Sequence, residues 1–118
     1  MRTAAFLAAA ALAFAQTIAG AYKGTWTGSA GGGDFHLNVS GGKADIGFTI
    51  EGQEVPCKIV SQKIDGSSIE IVYEFDLQGM KLQSAIKGAL KGKSLEGTYK
   101  TTAGDQPVDE GTWKTTAQ

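Results

Sequence analysis

Residues 68–77 set Ile69, Ile71, Tyr73, Phe75 and Leu77 against Ser68, Glu70, Glu74 and Asp76, with Val72 the one exception. A period of two with one apolar face marks a strand half-buried in a sheet. The same period governs most of the chain after Tyr22. Phe35, Leu37 and Val39 alternate with Asp34, His36, Asn38 and Ser40, and Ala44, Ile46, Phe48 and Ile50 alternate with Lys43, Asp45, Gly47, Thr49 and Glu51. A chain written this way folds as antiparallel β-structure with one wet face.

Glycine supplies 17 of the 118 residues and punctuates these runs. Gly41-Gly42, Asp65-Gly66 and Gln78-Gly79 read as tight hairpin turns, because such turns need residues that tolerate positive φ. Residues 88–92 and 103–107 read as two further connections. The expected strands are 21–28, 34–40, 43–51, 54–64, 67–77, 80–88, 93–102 and 108–116. Together they predict an all-β fold, an eight-stranded antiparallel up-and-down meander closed into a small barrel, with a flattened β-sandwich as the alternative. Pairing the eighth strand with the first would bring Trp26 and Trp113 together. The inward set runs from Tyr22 and Trp26 through Phe35, Cys57 and Met80 to Tyr99 and Trp113, and its large side chains favour a packed interior over an empty one.

The last two strands repeat one another. Glu96-Gly97-Thr98-Tyr99-Lys100-Thr101-Thr102 recurs as Glu110-Gly111-Thr112-Trp113-Lys114-Thr115-Thr116, and Gly24-Thr25-Trp26 is a related piece in the first strand. In each, a Gly stands two residues before an aromatic and so shares its face, making room for the ring and letting the strand coil.

Ahead of the strands, Arg2 precedes an uncharged Ala/Leu/Phe run over residues 6–14, and Ala13 and Ala15 flank Phe14. This pattern predicts a signal peptide over 1–15 cleaved before Gln16, with cleavage before Tyr22 as the alternative, and a single domain over 16–118. The apolar run falls short of the roughly 20 residues that span a bilayer, so no membrane span is expected. The mature domain is expected to be secreted or periplasmic.

Charge and chemistry narrow the function by exclusion. The formal net charge is -1, with no basic cluster for nucleic acid. One cysteine, Cys57, allows no internal disulfide, and with the one histidine, His36, it cannot build a structural zinc site. His36 falls on the wet face, no Gly-x-Ser-x-Gly elbow presents a serine, and Gly31-Gly32-Gly33 precedes a strand rather than a helix. Glu70, Glu74 and Asp76 share an outer face with other polar residues. Asp109 is different, because it shares the face of Gly111 and Trp113 and would point inward near a barrel mouth. No catalytic, cofactor or metal residues are assigned.

Gly24-Thr25-Trp26 resembles the Gly-x-Trp opening of lipocalins and the first strand of avidins, and the resemblance is confined to that opening. Trp26-Thr27-Gly28, Phe35 to Val39, Gly52 to Pro56, Lys63 to Gly66 and the late Leu90-Lys91-Gly92-Lys93-Ser94-Leu95-Glu96-Gly97-Thr98 are similar to small β-domains that accompany secreted bacterial hydrolases. That resemblance implies an accessory or binding role. The expected function is therefore non-enzymatic: binding of a small apolar ligand, or of a protein or glycan partner. Trp26, Tyr73, Tyr99 and Trp113 are the candidate lining residues, with Asp109 beside them. The alternatives are a small exported hydrolase using carboxylates such as Asp109 and Glu110, or a purely structural subunit.

Overall fold

A computed structural model describes residues 17–29 and 31–118; the expected signal peptide and its cleavage point before Gln16 lie outside the described residues. Nine strands form one antiparallel sheet: β1 (Gly20–Gly28), β2 (Gly31–Ser40), β3 (Lys43–Ile50), β4 (Gln53–Val55), β5 (Lys58–Asp65), β6 (Ser68–Leu77), β7 (Met80–Lys91), β8 (Ser94–Ala103) and β9 (Gln106–Ala117). Their order is β4-β3-β2-β1-β9-β8-β7-β6-β5.

The count of eight is corrected at the expected strand 54–64, which is two strands. Its first residues pair with β3 as β4 and its last with β6 as β5. Pro56 lies at the break, and a proline has no N–H to give a ladder. Here the chain leaves one edge of the sheet and takes up the other. No ladder joins β4 to β5, so the expected closed barrel is corrected to a curled half-barrel of about 240°. The sandwich alternative is not formed either, since all nine strands share one sheet.

The first and last strands do pair, from Tyr22 opposite Ala117 to Gly28 opposite Gly111, and Trp26 stands opposite Trp113. The open side is bridged in two ways. The Ala44 N–H donates to Gln62 Oε1 at 2.6 Å. Inside, Phe48 meets Phe75 edge to face with centroids 4.9 Å apart.

Gly41-Gly42 and Gln78-Gly79 make tight turns with positive φ at both residues, and Glu51-Gly52 makes a third of the same kind. Gly88 lies within β7 rather than in a connection, and the turn after it is Gly92-Lys93. Met80 is corrected from the inward set: at the β6–β7 turn it is 53% exposed. Cys57 is half-buried against the core.

The interior has two levels. At the end bounded by the β2–β3, β5–β6 and β7–β8 turns, Tyr22, Leu37, Val39, Ile46, Ile69, Ile71 and Leu95 pack solidly. Ile18, ahead of β1, is buried with them and donates its N–H to Gly66 O at 3.0 Å. Ile71 is fully buried and Glu70 exposed, as alternation requires. Ile71→Ala is expected to cost about 2–5 kcal/mol and Glu70→Ala no more than about 0.5 in urea denaturation. Similar costs for the two would contradict this register.

Candidate functional site

The other end of the bowl, under the β1–β2, β3–β4, β6–β7 and β8–β9 turns, holds a cavity of ≈ 240 Å³. The packed interior expected from the inward side chains therefore fills only one half of the molecule. Trp26, Tyr73, Tyr99, Trp113 and Asp109 all line this cavity. Phe35, Phe48, Ile50, Phe75 and Leu77, read as core from the sequence, line it as well.

Glycines explain how so many rings fit around an open space. One transverse row runs Gly33, Trp26, Trp113, Gly97, Gly88 across β2, β1, β9, β8 and β7. The Trp26 indole lies over Gly33 and the Trp113 ring over Gly88, so the two rings splay apart along the row. Tyr99 stands opposite Gly111, and its hydroxyl lies over Gly28. Each ring thus has a glycine beneath it, on the next strand for Trp26 and on the next strand but one for Trp113 and Tyr99, rather than two residues earlier on its own. The preceding glycines have another task. A side-chain carbon at Gly24, Gly97 or Gly111 would run into the backbone carbonyl of Lys114, Lys87 or Thr27, so these positions let adjacent strands coil closely.

Each indole N–H is satisfied by backbone: Trp26 Nε1 donates to Thr49 O at 2.9 Å and Trp113 Nε1 to Thr98 O at 3.1 Å. Trp26 also meets Tyr99 and Phe48 edge to face, at 6.0 and 6.1 Å between centroids. These contacts hold the aromatic wall in one arrangement.

Against the rings runs a line of polar side chains. Tyr73, Ser84, Thr101 and Asp109 are successive cross-strand partners on β6, β7, β8 and β9, and all four line the cavity. The Ser84 and Thr101 hydroxyls bond to each other, and Ser84 bonds to the Tyr73 phenol. The Tyr99 hydroxyl donates to Asp109 Oδ2 at 2.6 Å, and the Ser29 hydroxyl to Oδ1 at 2.7 Å. Burial, and then the neighbouring Asp109 carboxylate, raise the Tyr99 phenol well above its usual range, which keeps it a donor. Burial raises Tyr73 likewise.

No family emerges from comparison: no protein-family model, curated protein or solved structure matches the chain.

Sequence reasoning missed Ser84 and Thr101, although a hydroxyl at an inward position between Leu82 and Ile86, or after Tyr99, is the signal that would have found them. It also missed why Val108 and Asp109 both face the cavity, which strict alternation forbids. The β8–β9 register shifts between Thr101 and Thr102, so Thr101 faces Asp109 while Thr102 faces Pro107, and Val108 is the extra residue of a bulge. Bulges commonly re-aim side chains at the rim of a sheet.

The other reactive groups lie elsewhere. His36 Nε2 is 2.9 Å from Glu54 Oε2 on the outer surface. Glu70, Glu74 and Asp76 are also outside, with Glu74 3.9 Å from Lys81. Glu110 is exposed beside Asp109, so among the described residues Asp109 is the single carboxylate lining the cavity. Burial, and then Glu54, push the Cys57 thiol up to about 12, which leaves it protonated and a poor nucleophile at neutral pH. Among the described residues, no three His, Cys, Asp or Glu side chains are grouped to hold a metal ion.

Proposed function

We propose that this is an exported, non-enzymatic binding domain whose ligand is a small, largely apolar molecule held in the cavity. The carrying observation is a preformed space of ≈ 240 Å³ walled by aromatic and aliphatic side chains and marked by one short polar line. Concave, apolar sites with a few placed polar groups are the usual form of small-molecule sites. A cavity of about 150 Å³ accepts benzene, so this one has room for a two-ring molecule.

Several observations support the remaining parts of the reading. Paired-carboxylate hydrolysis needs two acids facing one substrate, and among the described residues this cavity has one. The resemblance to small β-domains beside secreted hydrolases implies a binding role. Export rests on the Arg2 and apolar-run pattern, and cleavage before Gln16 keeps Ile18, which the fold buries, whereas cleavage before Tyr22 removes it.

Titration with naphthalene, an uncharged two-ring probe, tests the reading. Saturable shifts of the Trp26 and Trp113 indole N–H resonances are expected, with loss of binding in Ser84→Phe, where the new ring fills the space. Unchanged resonances up to the solubility limit of the probe would refute it.

A further inference from the structure

We infer that the cavity takes a neutral, ring-bearing carbonyl compound, a ketone or aldehyde whose oxygen accepts a hydrogen bond from the row of Tyr73, Ser84 and Thr101 hydroxyls. The inference rests on the proposed small-molecule site and adds the polar group that its ligand carries.

The first observation is a count of protons. Tyr73, Ser84 and Thr101 each bring one hydroxyl proton. Among the described residues they are joined by two hydrogen bonds, one between Tyr73 and Ser84 and one between Ser84 and Thr101. Each bond uses one proton, so one O–H is left over whichever way the hydroxyls turn. Burial raises the Tyr73 phenol above its usual range, so this count holds at neutral pH. Tyr99 adds nothing to it, because its proton goes to Asp109.

The second observation is where the hydroxyls lie. Tyr73, Ser84 and Thr101 are 4%, 2% and 6% exposed, and all three line the cavity. The spare O–H therefore meets the cavity rather than the outer solvent. A buried donor left without a partner is costly, and such orphans are rarer than carbonyls with a lone pair unused. An acceptor is the group that completes the row. A ligand with a donor alone can reach a hydroxyl lone pair, but it leaves the spare proton as it was.

The third observation is the wall around the row. Leu82 and Ile86 flank Ser84 on β7, Phe75 follows Tyr73 on the inner face of β6, and all three line the cavity. Among the described residues no lysine, arginine or histidine lines it, so a carboxylate ligand would lose hydration and meet no cation. One neutral oxygen against the hydroxyls, with hydrocarbon elsewhere, matches this wall.

Calorimetric titration of indane and 1-indanone, which share one two-ring skeleton, tests the inference on the parent protein and on the triple variant Tyr73→Phe, Ser84→Ala, Thr101→Val. Replacing bonded hydroxyls together by apolar groups of similar shape is nearly neutral for folding. The affinity of 1-indanone relative to indane is expected to fall about two- to tenfold in the variant, a ratio in which the hydration of the two probes cancels. The infrared carbonyl stretch of bound 1-indanone gives a second reading on the unaltered protein. It is expected at the lowered frequency seen in an alcohol, and a frequency like that in an alkane would overturn the inference without any variant. An unchanged affinity ratio, or an alcohol-like stretch that persists in the triple variant, would overturn it too and leave the apolar site standing. Failure of both indane and 1-indanone to bind, together with failure of naphthalene, would overturn both readings.

Discussion

Trp113→Ala is expected to lose about 3–5 kcal/mol of stability in urea denaturation, at the upper end of single core truncations. The ring is 2% exposed, packs on Phe35 with centroids 5.2 Å apart, and lies over Gly88. Its neighbours along the transverse row on β8 and β7 are glycines, which have no side chains to close over the space it leaves. The truncation also strips the Thr98 carbonyl of its indole donor. Trp26 is the control. It is half-buried in the cavity wall, so Trp26→Ala should cost clearly less stability and weaken naphthalene binding instead. Equal stability losses for the two would show that both rings belong to the core.

Gly97→Ala should be nearly as damaging for the opposite reason. A side-chain carbon at Gly97 would collide with the Lys87 carbonyl and stand 2.6 Å from the Gly88 Cα, both fixed backbone of β7. The ladder must open at that point, and overpacking of this kind costs about 1–3 kcal/mol or more. Gly47→Ala provides the contrast. There the added carbon meets only the ends of the His36 and Glu54 side chains on the outer surface, and these can swing aside. Its stability should stay within about 0.5 kcal/mol of the parent. If the two variants melted together, close coiling at the Gly-Thr-aromatic pieces would not be what shapes this sheet.

Alternation made the strands legible because it is imposed locally: each residue of 68–77 must choose the wet or the dry face. It also put Trp26, Tyr73, Tyr99, Trp113 and Asp109 on one inner face, and all five line the cavity; the face of Asp109 follows from Gly111 and Trp113. How far a sheet curls is not a local property. It depends on where glycines let one backbone press on the next, and Gly97 against Lys87 can be recognised only once the register is known. The same holds for the divided strand. Residues 54–64 read as one extended run in the sequence, and nothing in them but Pro56 says that the hydrogen-bonding partner changes. The cavity escaped for a third reason. A list of large inward side chains fixes their number, not their direction, and here the two indoles lean away from each other over glycines.

The strand order has a consequence for how the molecule assembles. β1 and β9, the most distant strands in the chain, lie side by side at the middle of the sheet, while β4 and β5, separated by two residues, lie at opposite edges. The protein is thus two meanders, β1–β4 and β5–β9, each made of neighbouring hairpins that close at little entropic cost. They meet on one ladder of long sequence separation, whose closure precedes any reward from the contacts it brings. Docking of β1 on β9 is accordingly the expected slow step of folding. A circular permutant opened between Pro56 and Cys57, with a short linker from β9 to β1, would place all nine strands in sheet order and turn that step into one more hairpin.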